Sequence, residues 1–390
     1  MRAEVKAEQE KVFPRLDKEA KTVLVAAGGT AGHIHPALAI ARAIKRSRPD
    51  WQIVFCGNYD EMEGQLISKT EFEFYWIEST TVKRKKDISQ WFNTFFTVMR
   101  GIREAKKLID ELNVVACIGA GGYVCVPLIM AAKNRGIKYF LHEQNAYPGK
   151  SSIFLSSGAE TVFISYKASK SFFPKAKEVI FSGNPVKKIF YNLEKTEARK
   201  NLNIDKDEFI ILVTGGSQGA KSLNEFTLDL SQLLAKDDNL RDYTIHLISG
   251  QKKYEDVMND PRSKAKNLKV TDFTYDMPEE MAASDLVICR AGASTCAELQ
   301  ALGKASILVP YPYATNDHQT ANAKALSDHE AAILIKDEDL NAKAAEKLII
   351  DFMYNEDKIT KMAKNAKSLA KEDAAEIIKT KIIKEVEENK

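Results

Sequence analysis

Twice in this chain an apolar run breaks on a glycine turn and gives way to a helical pattern: "TVLVAAGGTAGH" at 22–33 and "FIILVTGGSQGAK" at 209–221. Both runs are apolar throughout instead of alternating, which suits strands covered on both faces, and such strands belong to parallel sheets. A parallel strand reaches its neighbour through a crossover, usually a helix. The same rhythm fills the rest of the chain. Up to residue 183 it gives IVFC (53–56), FYWIES (74–79), VVACIG (114–119), KYFLHE (138–143), TVFIS (161–165) and VIFSG (179–183). Beyond residue 205 it gives YTIHLISG (243–250), LKVTDF (268–273), DLVIC (285–289), SILVP (306–310) and AAILI (331–335). The fold class is therefore α/β, with two Rossmann-like, doubly wound parallel sheets. A chain of 390 residues exceeds one ordinary core, which fits two halves. The polar stretch "GNPVKKIFYNLEKTEARKNLNID" (183–205) is expected to be a linker, and the Lys- and Ala-rich tail from about 341 to be helical.

Composition removes several classes. Lys and Arg number 57 against 54 Asp and Glu, too balanced to mark a nucleic-acid binder. The five cysteines are scattered through apolar runs without C-x-x-C spacing, so reduced, buried thiols are expected in place of a zinc site. Residues 1–20 are charged and lack the apolar core of a signal peptide, and no run of 18 apolar residues could span a bilayer. A cytoplasmic protein is expected.

The glycine turns carry the chemistry. A third, "IGAGGYVCVP" (118–127), follows the VVAC run. Glycines let the backbone turn tightly with its N–H groups exposed, and the following helix makes that end electropositive, so a phosphate or diphosphate is the natural ligand. Such ligands sit at the carboxyl ends of the strands. None of the three is a Walker A loop, which disfavours an ATPase. A plain tight turn explains any one of them; three in one chain favour a ligand.

Six ordered segments carry a resemblance: "GGTAGHIHPALAIA", "GAGGYVCVP", "HEQNAYPG", "GNPV", "GGSQGAKSLN" and "CRAGASTCAELQALGKASILVPYPYATNDHQTANA". Together, from about residue 21 to 327, they resemble the MurG family of glycosyltransferases. The resemblance implies a GT-B fold, two Rossmann-like domains facing a cleft. It divides the chain into a charged extension (1–20), an acceptor and membrane domain (21–186), a UDP-GlcNAc domain (187–370) and a final helix (371–390) that packs back on the first domain. It implies transfer of GlcNAc from UDP-GlcNAc to the 4-hydroxyl of the muramyl sugar of lipid I, giving lipid II, with inversion and with neither metal nor cofactor. Four departures stand out: Ala31 replaces a glycine, Lys187 replaces an Arg, His318–Gln319 replaces two glutamines, and residues 1–20 precede the usual start.

Site residues follow from the two readings together. His33 closes the first turn, beside Thr30, Ala31 and Gly32. A neutral imidazole there can take the proton of the attacking hydroxyl, or it can simply contact phosphate or backbone. A helix N-terminus favours its neutral form. His35 is expected to pack. In "HEQNAYPG" the resemblance gives Asn145 a substrate contact, and Glu143 either orients it or acts as an alternative base. In the second half Ser217 would bind diphosphate, Thr274 uracil through its backbone, and Gln319 the GlcNAc hydroxyls; Lys187 keeps the charge of the Arg it replaces. Ala293, Ser294 and Thr295 open a helix. Ser294 and Thr295 have N-cap character, and Glu298 has capping-box spacing from Thr295. The resemblance makes Glu298 the ribose ligand. The acidic triplets 205–207 and 337–339 are expected to be solvated turn or capping residues, not a metal site.

Another stretch points to a membrane surface. In "KRKKDISQWFNTFFTVMRGIREAKKL" (83–108), Trp91, Phe92, Phe95 and Phe96 form an aromatic face at helical spacing, flanked by Lys85 and Lys86 among other basic residues. Packing explains the part from Met99 onward. The wide aromatic part suits peripheral attachment to anionic lipid on the cytoplasmic face of a bacterial plasma membrane. Two alternatives share this architecture: a UDP-sugar:diacylglycerol glycosyltransferase and a UDP-GlcNAc 2-epimerase.

Overall fold

The computed structural model describes residues 15–80 and 88–388. The chain forms two compact units, Met1–Val186 with Asp373–Lys390, and Lys187–Glu372. All thirteen apolar runs become strands.

In the first unit the strands are β1 (Thr22–Ala26), β2 (Gln52–Gly57), β3 (Glu73–Trp76), β4 (Val114–Gly119), β5 (Tyr139–Glu143), β6 (Thr161–Ile164) and β7 (Val179–Phe181). They lie in the order β3-β2-β1-β4-β5-β6-β7, every pair parallel. The continuous hydrophobicity of β1 now has a cause. Leu24 and Ala26 enter a core with the helices Ile88–Glu111 and Cys125–Arg135, whereas Val23 and Val25 enter a second core with Ala31–Ser47. The last helix, Ala374–Glu387, adds Ile378 and Ile382 to that second core. Lys138 and Arg48 pair with its Glu385 and Glu387.

The second unit holds β8 (Phe209–Thr214), β9 (Tyr243–Ile248), β10 (Leu268–Thr271), β11 (Leu286–Cys289), β12 (Ala305–Leu308) and β13 (Ile333–Leu334) in the parallel order β10-β9-β8-β11-β12-β13. Both sheets have the strand order of a dinucleotide-binding fold. Each therefore has a switch point, between β1 and β4 in one and between β8 and β11 in the other, where chains leave in opposite directions and open a crevice.

Two expectations need correction, for the stretch 183–205 and for His35, and the extension gains contacts. The stretch 183–205 is not a bare linker: it forms the helices Ile189–Asn192 and Lys195–Asn201. Ala198 packs on Ala282 and Ala283, and the buried Arg199 donates to Ala283 O and pairs with Asp285. Its scattered apolar residues give no strand or helix period to read, yet Phe190 is buried and Leu193, Leu202 and Ile204 pack beside Ala198. The described part of the N-terminal extension is also docked. Leu16 is buried in the first core, Asp17 N–H donates to Gln52 Oε1, and Asn113 donates to Glu19 O. Finally, His35 is exposed.

Candidate active site

In the first unit the turns after β1 and β4 meet at the switch point. Thr30 N-caps the helix Ala31–Ser47 with extended backbone, so Ala31 is the first helical residue and keeps a negative φ. Its methyl group costs nothing there. His33 stands in the first turn of that helix, with Nδ1 2.9 Å from Gly28 O and 3.3 Å from Thr30 Oγ1. A carbonyl can only accept, so Nδ1 carries a hydrogen, and in the neutral ring Nε2 is the nitrogen that takes a proton.

The space around the ring is set by two glycines. Gly121 (φ +100°) is so close that an added Cβ would stand 2.6 Å from His33 Cδ2. At Gly122 (φ +86°) it would stand 2.4 Å from Gly28 O. Beneath the turn lies Glu63, fully buried, whose carboxylate accepts from Gly29 N–H and Asn58 N–H, both at 3.3 Å. Burial pushes its carboxyl above the usual range, and those two N–H bonds oppose the rise.

The end of β5 supplies the neighbouring groups. Glu143 accepts from Asn145 N–H (3.0 Å) and Asn145 Nδ2 (3.1 Å) on one oxygen, and from Gly149 N–H (3.1 Å) on the other. This carboxylate is spent on shaping its own loop, which aims Asn145. His142 is buried, with Nε2 3.2 Å from Gly183 O, and burial holds its imidazole down at about 4.

In the second unit the turn after β8 is open. Gly216 has φ +83° and nothing within 4 Å of an added Cβ, and Ser217 and Gln218 are exposed. The helix Lys221–Leu234 begins at Ala220 without a side-chain cap. Across the switch point the helix Ala293–Leu302 begins at Gly292, again uncapped. Ser294 and Thr295 are thus inside the helix and are not caps, and Glu298 lies too far along it for a capping box. The helix starts earlier than the Ser/Thr pair suggests because Gly292 takes the extended conformation (φ −64°, ψ 144°) that a cap requires. Uncapped N–H groups at two helix starts make an anion site.

Glu298 is partly buried, and burial pushes its carboxyl up to about 7, with the Lys187 ammonium pulling it partly back. No group among the described residues donates a hydrogen bond to it. Gln319 Oε1 accepts from Tyr311 N–H at 2.9 Å. Gln319 is brought there by two consecutive left-handed residues, Asn316 (φ 55°) and Asp317 (φ 53°). Thr274 follows β10, its hydroxyl accepting from Asp276 N–H, between the edge-packed rings of Phe273 and Tyr275.

Sequence reasoning missed the group that ties this end together. The Arg290 guanidinium donates to Val309 O, Pro310 O, Ser222 Oγ and Asp337 Oδ1 (2.5 Å). It therefore joins the loops that follow β11, β12 and β13 to the start of the helix after β8. Asp337 is no solvated turn residue. Arg290 stood in a quoted motif, but its partners are up to 68 residues away. Glu63 gave no local signal either.

Comparison with known proteins supplies the lineage. The model of the glycosyltransferase family 28 N-terminal domain matches residues 23–164, and that of the C-terminal domain matches 210–380. The chain is 37% identical over 372 residues to the UDP-N-acetylglucosamine–N-acetylmuramyl-(pentapeptide) pyrophosphoryl-undecaprenol N-acetylglucosamine transferase of Acetivibrio thermocellus, covering 94% of this chain and 99% of that protein. The chain belongs to glycosyltransferase family 28. The equivalent transferase of Bacillus subtilis is 35% identical over 90% of this glycosyltransferase and 96% of its own length. The crystal structure of Acinetobacter baumannii MurG superposes with a TM-score of 0.75 at 30% identity, covering 93% and 99% of the two chains. A Neisseria meningitidis UDP-GlcNAc 2-epimerase shares the fold alone, at 13% identity and a TM-score of 0.65.

The aromatic helix of this glycosyltransferase is Ile88–Glu111. Phe92, Phe95 and Phe96 are 61%, 59% and 56% exposed, whereas Val98 and Met99 pack on the core and Ile102, Ala105 and Leu108 are buried. Three exposed phenylalanines in five residues far exceed the scatter of single apolar side chains on a surface. Lys85, Lys86 and the Trp91 side chain lie outside the described residues. Among the described residues no helix is long and apolar enough to cross a membrane.

Proposed function

We propose that this enzyme transfers the N-acetylglucosaminyl group of UDP-GlcNAc to the 4-hydroxyl of the N-acetylmuramyl-pentapeptide carried by undecaprenyl diphosphate, and that His33 is the general base. The observation that carries this reading is the fixed tautomer of His33 at the β1/β4 switch point. The acceptor oxygen attacks the anomeric carbon and passes its proton to Nε2. The bond from that carbon to the diphosphate oxygen breaks, the configuration inverts, and UDP leaves. Asn145, aimed by Glu143, binds the acceptor, and Thr30, Ala31 and Gly32 border it.

The uncapped helix starts at Lys221 and Ala293, with Ser217, Ala293, Ser294 and Thr295, hold the diphosphate and stabilise the departing charge without a metal. Glu298 accepts the ribose hydroxyls, Thr274 meets uracil and Gln319 the sugar. Lys187 adds positive charge beside Glu298. Phe92, Phe95 and Phe96 dock on anionic lipid, on the cytoplasmic face where the nucleotide donor is found.

Purified protein given labelled UDP-GlcNAc and EDTA should label lipid only when the muramyl lipid acceptor is present. Turnover of UDP-GlcNAc without lipid would instead support an epimerase. Docking is tested separately. Changing Phe92 and Phe95 to Ser should abolish flotation with anionic vesicles, leave the thermal melt unchanged because both rings are already exposed, and leave turnover of a water-soluble acceptor near normal. Persistent flotation would sink the membrane claim.

A further inference from the structure

Gln144, next to Asn145, has no role in the reading above, and it holds an atom that needs explaining. The residue is 1% exposed. Its amide nitrogen donates to Ala120 O at 2.7 Å and to His142 Nδ1 at 3.0 Å. Both N–H bonds are used, so the amide cannot be turned around. His142 is fixed in the same sense, because its Nε2 must carry the hydrogen given to Gly183 O and its Nδ1 is left to accept. Gln144 Oε1 is thereby directed to Gly121, buried and without a hydrogen-bond partner among the described residues. A methyl group on Gly121 would stand 3.0 Å from this oxygen and 2.6 Å from His33 Cδ2. The oxygen and the carbon edge of the His33 ring share one small space, and glycine keeps it open.

An unpaired buried carbonyl oxygen is costly and uncommon in folded proteins. We propose that Gln144 is a positioning residue that tunes His33, its carbonyl oxygen stabilising the charge that the imidazole acquires when Nε2 accepts a proton. The inference rests on His33 being the general base. Imidazolium charge spreads onto the ring carbons and their hydrogens. A C–H facing a carbonyl oxygen is a weak contact in the neutral ring and a stronger one in the charged ring. Burial of the oxygen keeps that field unscreened.

The other titratable groups around the ring do not supply the same effect. His142, at the end of β5, is held neutral by burial at about 4. Glu63, from the helix Met62–Ile67, is engaged with Gly29 and Asn58 N–H groups, and burial disfavours its charge. Tyr123 lies against Gly29, with burial raising its phenol. Glu143 is spent on Asn145 and Gly149.

The test is a titration of the histidine side chains by NMR in the full-length protein, with the His33 signal assigned by its loss in His33→Ala. In Gln144→Leu the His33 midpoint should fall by about half to one pH unit, the scale of one neutral hydrogen bond. The acid limb of kcat/KM should move with it, while KM for UDP-GlcNAc stays put. In Gln144→Glu, which keeps an oxygen at that place and adds negative charge, the midpoint should rise. A His33 midpoint unmoved in a Gln144→Leu protein that melts like wild type overturns the proposal. So does an unmoved midpoint in Gln144→Glu, which decides the matter if the leucine variant does not fold. Failure of the base reading looks different: His33→Ala would then keep its turnover, whatever the titration shows.

Discussion

The turns after β1 and β8 start from the same pattern, apolar strand, paired glycines and helix, and end in opposite states. Around the first, protein packs tightly on Gly28, while Gly29 and Thr30 stay exposed. An added Cβ on Gly28 would strike Glu63 and Val124 at 2.7 Å, Gly28 N–H reaches Gly121 O, and Gly29 N–H is held by Glu63. Around the second, Gly216 faces open space, although Gly215 is crowded by Ala220 N and Gly219 by Ser249 O. The Ser217 and Gln218 N–H groups have no partner among the described residues. A glycine turn therefore fixes a backbone path and leaves its chemistry to the side chains brought against it. In the proposed function the wired turn presents a base, and the open turn presents amides to an anion.

That contrast can be broken at several points. The largest effect belongs to the wired turn. His33→Ala should lower kcat by about 10²–10⁴-fold, the usual worth of a general base, with UDP affinity unchanged by calorimetry. Near-normal turnover would reduce the first turn to structure.

Next comes the donor side. Glu298→Gln replaces a charge-assisted contact with a neutral one and should weaken UDP-GlcNAc binding by roughly ten- to a hundred-fold, from about 1.5–3 kcal/mol. Its pH dependence has a definite sign. The carboxyl is raised from its ordinary 4.5 to about 7, so the folded state holds more protons than the unfolded one between those values. Its contribution to stability falls as pH rises through that window. Donor affinity of the native protein should rise through about pH 7 as the carboxylate forms. The Gln variant should lose both dependences and melt above wild type at pH 8. A flat wild-type binding profile would remove Glu298 from the ribose.

The smallest effect separates the turns by stability alone. Gly216→Ala incurs only left-handed strain, about 1–2 kcal/mol. Gly121→Ala adds a collision with the His33 ring and should melt lower still. Equal melts would mean that the space where the turn after β4 meets His33 is no more crowded than the turn after β8.

The sequence made the sheets legible because burial on both faces of a parallel strand leaves uninterrupted apolar runs, and the turns legible because glycine marks a backbone that other residues resist. It also showed where the aromatic helix leaves the core: Met99 packs, and Phe92, Phe95 and Phe96 do not. What it hid depends on partners far along the chain. Glu63 acts on Gly29, 34 residues away, and Arg290 on Asp337, 47 residues away, and neither spacing has a local signature. The Ser294–Thr295 pair misled for a simpler reason, since a glycine three positions earlier than Thr295 can start the helix just as well. The candidate residues of each unit were all legible by type. Which of their atoms are already committed, as with both oxygens of Glu143, was not.

The helix Ala374–Glu387 has a consequence for synthesis. It is made after every other described helix, yet Ile378 and Ile382 complete a core whose other members begin at Val23. The unit made first therefore stays open, with apolar surface uncovered, until this helix has been made. The unit Lys187–Glu372 is contiguous and needs no later segment. Domains usually mature from the N-terminus as they emerge. In this chain the later unit can finish first, and the earlier one closes only once this helix is available, through contacts of very high sequence separation that slow folding. During that interval chaperones have the most to shield, and losing this helix would damage the half of the molecule that was synthesised first.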